Sequence, residues 1–71
     1  MSTILTNEEK SGIISQHVKN VEYSLYNLNL SLIQENAVSS PDADKISSLN
    51  DQIDDLNAQK AALESERLSL A

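Results

Sequence analysis

A seven-residue apolar repeat governs the last third of this chain. Ile46, Leu49, Ile53, Leu56, Leu63 and Leu70 fall at alternating steps of three and four, and Lys60 and Arg67 occupy the same stripe. In heptad terms isoleucine takes a, leucine takes d, and two cations take the later a positions. A stripe of that period suits a helix that lies along a second helix. The remainder of the chain must therefore supply the surface it packs on.

Upstream, Thr6-Asn-Glu-Glu9 has the form of a capping box, with acidic Glu8 and Glu9 suited to the positive end of a helix dipole. A first helix is expected over about 7–37. Val38-Ser-Ser-Pro-Asp42 then interrupts the pattern. Proline disfavours helix in the residue before it yet fits the first turn of a new one, so Ser40 is the expected N-cap of a second helix over about 41–70. Two rods of matched length around a turn at about 38–40 predict an all-α fold: one domain over 1–71, an antiparallel two-helix hairpin with coiled-coil (heptad) packing. The rival is a single rod kinked at the proline. Folding about residues 39–40 sets residue i level with about 79 − i, which brings Lys60 within reach of Glu22.

The first helix carries two apolar stripes where the second carries one. One is Ile14, Val18, Val21, Leu25, Leu28 and Leu32; the other is Tyr23, Tyr26, Leu30, Ile33 and Ala37. Between Tyr23 and Ile33 the helix is apolar most of the way round, so burial on more than one side is expected. The hairpin core is expected to comprise Tyr23, Tyr26, Leu30 and Ile33 against Ile46, Leu49, Ile53, Leu56 and Leu63, densest near the turn. The stripe from Ile14 to Leu32 is then left over as a protein-interaction face. Four to six such side chains, each worth about 1.5–3 kcal/mol on burial, call for a partner.

Composition narrows the functional classes. Seventy-one residues without cysteine have no disulfide, and a single histidine makes no His/Cys metal cluster. A core of this size yields about 3–5 kcal/mol, so oligomerisation or docking is the available reinforcement. Net charge is −6 with only five cations, scattered along the chain, which argues against direct nucleic-acid binding. No apolar run is long enough for a membrane span and the N-terminus lacks the form of a signal peptide, so a cytoplasmic or intraparticle setting is expected.

Candidate sites for chemistry are few. Asp51, Asp54 and Asp55 cluster on the second helix without the glycine turn and spaced oxygens of a calcium loop, and read as a solvated face. His17 sits at an apolar–polar boundary, Gly12 is the only glycine, and no nucleophile–base set or phosphate loop appears. No catalytic, cofactor or metal residue is assigned and no cofactor is expected.

In size, acidity and low glycine content the chain is similar to small helical proteins of phage genomes and multisubunit particles. The function expected is structural: a hairpin that self-associates, for instance as a four-helix bundle, or docks on a larger assembly. The alternative is a small acidic regulator that inhibits one target protein through its exposed apolar stripe. Acids dispersed over both helices favour the structural role, since a mimic of nucleic acid would gather them on one face.

Overall fold

A computed structural model describes residues 4–70; residues 1–3 and 71 lie outside the described residues. Two helices, α1 (Asn7–Ala37) and α2 (Ala43–Ser69), pack against each other as a hairpin. Contacts between them run in antiparallel order. The Asn7 amide donates to the Leu70 carbonyl at 3.2 Å, Arg67 Nη1 donates to Ser15 Oγ at 3.4 Å, and Lys60 pairs with Glu22 at 3.3 Å. Near the turn, Lys45 pairs with Glu35 at 3.5 Å.

Each helix begins where local chemistry satisfies its free amides. Thr6 caps α1: its hydroxyl accepts from the Glu9 N–H at 3.1 Å, and the Glu9 carboxylate accepts from the Thr6 N–H at 2.9 Å. The Thr6 backbone donor first, and its hydroxyl second, hold the Glu9 carboxyl below its ordinary value. An ionised group is thus kept at the positive end of the dipole. At α2 the cap is Asp42, two residues beyond the expected Ser40. Its carboxylate accepts from the Asp44 and Lys45 N–H groups at 3.0 and 3.3 Å. A charged acceptor bonds amides more strongly than a serine hydroxyl, and Pro41 remains outside the helix, where its missing N–H costs nothing.

The hairpin is a thin rod of 59 × 18 × 14 Å, with a radius of gyration of 16.7 Å against about 11 Å for a compact chain of this length. One layer of contact makes the core, and the core is small. Only Ile14 and Val18, at 9 % and 6 % exposure, are buried among the described residues.

Two expectations are overturned here. The face of α1 turned towards α2 carries Ile14, Val18, Val21, Leu25, Leu28 and Leu32, all buried or half-buried. Tyr23, Tyr26, Leu30 and Ile33, expected in the hairpin core, are 63, 65, 39 and 64 % exposed. The stripes have exchanged roles. The physical reason is length: the α2 stripe extends from Ile46 to Leu70, and only the Ile14–Leu32 stripe accompanies it along the rod. The tyrosine stripe begins halfway and would leave the open end without apolar contact. Branched and aliphatic side chains also suit helix axes about 8–10 Å apart better than two tyrosines do.

The densest packing lies at the open end instead of near the turn. There Arg67, level with Ser15, donates to Glu64 at 2.8 Å and lies over the interface beside Val18. The aliphatic stem of such a cation covers apolar neighbours while its head reaches water. The Arg67 Nε is buried without a partner, so its place in an a position carries a cost. Gly12 serves no close approach, since a Cβ there would meet nothing within 4 Å.

Candidate functional site

The most distinctive surface is the outer side of α1. Steps of 3, 4, 3 and 4 bring Tyr23, Tyr26, Leu30, Ile33 and Ala37 onto one face, roughly opposite the face that meets α2. Tyr26, Ile33 and Ala37 line a shallow hollow with Asn29, Leu32 and Asn36. From Tyr23 to Gln34 the helix holds no charged residue, whereas Lys19, Glu22 and Glu35 flank that segment. The result is an uncharged apolar strip bordered by asparagine, serine and glutamine on an otherwise acidic rod.

The α2 residues read as core all lie on the inner side. Ile46, Leu49, Ile53, Leu56 and Leu63 are half-buried, as are Lys60, Arg67 and Leu70 on the same stripe. Asp51, Asp54 and Asp55 are exposed, and among the described residues no group of three His, Cys, Asp or Glu is disposed to hold a metal ion. His17 is exposed at the edge of an open groove between the helices, lined also by Val21, Leu56 and Leu63. No described helix is long and apolar enough to cross a membrane.

Glu35 is the structural residue that sequence reading missed. One carboxylate oxygen accepts from the Asp42 N–H at 3.1 Å, the other faces Lys45 Nζ at 3.5 Å, and the side chain is only 14 % exposed. It ties the last turn of α1 to the start of α2. A signal was available. An acid in the last turn of a helix opposes that helix's own dipole, and α1 has no basic residue there. The conflict is resolved because the carboxylate serves the positive end of the following helix.

Glu35→Ala is expected to destabilise the hairpin by about 1–2 kcal/mol, because a hydrogen bond to a charged group is lost and the exposed Lys45 pair adds little. Glu35→Gln should recover most of that loss. Urea unfolding of the three chains checks this, and equal stability of alanine and wild type would rule out the clasp.

Comparison with protein-family models, with curated proteins and with solved structures gives no significant match. The functional reading rests on the residues themselves.

Proposed function

We propose that this chain is a non-enzymatic assembly protein. In this reading it is a short antiparallel coiled coil that self-associates or docks onto a larger protein assembly, such as a phage or other multisubunit particle, in the cytoplasm or within that particle. One observation carries the reading: Tyr23, Tyr26, Leu30 and Ile33 are exposed on the outer side of α1, while among the described residues only Ile14 and Val18 are buried. Covering what remains exposed of these side chains removes further apolar surface from water, at about 25 cal/mol per Å², and a hairpin with so small a core has need of that reinforcement.

The heptad reading draws support from α2, whose half-buried positions keep the three-and-four spacing from Ile46 to Leu70. Lys60 and Arg67 on that stripe restrict the alignment of the two helices through the Lys60–Glu22 pair and the hydrogen bond from Arg67 to Ser15. An inhibitory regulator finds less support, because exposed acids occur along both helices and the apolar strip itself is uncharged.

Light scattering over a range of concentration and salt tests the proposal. The expected mass is at least double the 7.8 kDa of one chain and persists at high salt, because apolar contact is not screened. A cooperatively folded species of 7.8 kDa at every concentration overturns self-association. If that monomer also recruits no protein partner through the strip, the assembly reading falls with it.

A further inference from the structure

We infer that charges on the facing stripes make each helix reject a copy of itself and accept the other, so that α1 pairs with α2 in place of α2 with the α2 of another chain. This holds for a lone hairpin or an assembled one and does not depend on the assembly reading. By its apolar residues alone the excluded pairing is a favourable one. Isoleucine at a with leucine at d, as in Ile46, Leu49, Ile53 and Leu56, favours a parallel two-stranded coiled coil of identical helices. Those four residues would serve a second α2 as well as they serve α1.

Lys60 and Arg67 remove that ambiguity. Both continue the stripe at a positions and both are half-buried. In the hairpin Lys60 Nζ stands 3.3 Å from the Glu22 carboxylate, and Arg67 Nη1 donates to Ser15 Oγ at 3.4 Å, both across the interface. A parallel pair of α2 helices instead sets Lys60 against Lys60 and Arg67 against Arg67. Glu66, next to Arg67, would relieve part of that repulsion, but the neighbour of Lys60 is the uncharged Gln59. An antiparallel α2 pair centred on the stripe lays Lys60 near Leu56 and Arg67 near Leu49, cation on leucine.

The α1 stripe carries the opposite sign. The steps of four and three from Ile14 to Leu32 continue to Glu35, whose side chain is only 14 % exposed. Its carboxylate faces Lys45 Nζ at 3.5 Å and accepts from the Asp42 N–H, both at the start of α2. A parallel pair of α1 helices would bring Glu35 against Glu35. Stability is not what the cations add. Arg67 Nε is buried without a partner, and an apolar side chain there would complete the stripe without that penalty. The Arg67 bond to Glu64 lies within α2 and persists in any pairing. What these charges supply is discrimination, which needs a cost against the wrong partner as well as a gain with the right one.

The full chain carrying Lys60→Ile with Arg67→Ile tests this, and absence of cysteine permits spin labels at exposed positions. A chain labelled at Gln16→Cys and Ser65→Cys, diluted with unlabelled chain, reports the hairpin, since the two residues lie nearly level on the two helices. Single labels at Asp51→Cys or Ser65→Cys report pairing between chains, and a parallel, in-register α2 pair gives equal distances at both. Wild type should keep the within-chain distance at every concentration and lack the equal between-chain distances. The double variant should add, as concentration rises, a population without the within-chain distance and with equal distances at 51 and 65. Two more isoleucines on each copy should raise the α2 pairing constant at least about a hundredfold, at about tenfold per 1.4 kcal/mol. Lys60→Arg with Arg67→Lys should behave as wild type. A double variant that keeps only the hairpin distance would show that the turn alone chooses the partner, and equal between-chain distances in wild type would show that the cations exclude nothing. Either result overturns the inference. Should the double variant precipitate, Lys60→Ile alone is read in the same way.

Discussion

Val18→Asp is expected to abolish the folded hairpin. Val18 is the most buried residue described, and the substitution forfeits about 1.5–3 kcal/mol of apolar burial. It also places a carboxylate in a hollow that Val18 shares with Glu22, Glu64, Lys19 and Arg67. Taking that charge out of water costs several kcal/mol more, of which the two cations, already facing two acids, offset a part. The combined loss exceeds the about 3–5 kcal/mol available to a chain of this size. Far-ultraviolet circular dichroism should show little helix and no cooperative melt. Leu68→Asp, at an exposed position on α2, is the matched control and should change stability by no more than about 0.5 kcal/mol. Retention of a wild-type melt by Val18→Asp would mean that Val18 does not face α2.

The double substitution Tyr26→Asp with Ile33→Asp should act on association. Both side chains are largely solvent-exposed in the hairpin, so neither change removes an intramolecular contact of consequence. In the proposed assembly both are covered, and aspartate there loses the apolar contribution and puts negative charge into a strip that holds no cation to pair with it. At about 1.4 kcal/mol per tenfold in affinity, loss of even one such side chain's burial on each copy weakens association at least about a hundredfold. Light scattering should fall to the mass of one chain, and the melting temperature should lose its dependence on concentration. Ala58→Asp, exposed on α2, should leave the mass unchanged. Wild-type mass for the double variant would remove the outer face of α1 from the interface.

These expectations invert part of what the sequence suggests. Read from spacing alone, Leu25→Asp and Leu28→Asp are interface variants that spare the hairpin. In the structure both residues face α2 and are half-buried, so they belong with Val18. The error arises because two stripes on α1 satisfy the same three-and-four spacing. Spacing fixes which residues share a face, but it does not fix how the helix is rotated about its own axis. Tyrosine, apolar over most of its surface and polar at its tip, is compatible with core and rim alike.

Other features were legible because they depend on neighbours in sequence. The Thr6–Glu9 capping box involves four consecutive residues and forms as the motif requires. The pair Lys60–Glu22 follows from the length of the two rods and the place of the turn, and it is present at 3.3 Å. Asp42 displaced Ser40 as the second cap for a reason that sequence only partly shows. Both are capping residues, and the Glu35 carboxylate, which accepts from the Asp42 N–H, holds the chain at that point.

The sequence by itself determined the elements: two helices, the capping box of the first, the break between them, and a single stripe of heptad spacing on α2. Local hydrogen bonding and apolar period suffice for that, since each acts within a few residues. Only the tertiary structure decided which face of α1 α2 covers, where the core is densest, and that Glu35 closes the turn. Those outcomes turn on contacts between residues far apart in the chain. The stripe that runs the full length of α2 removes more apolar surface from water than one that runs half of it. That difference in buried area turned Ile14 and Val18 inwards and left Tyr23, Tyr26 and Ile33 facing out.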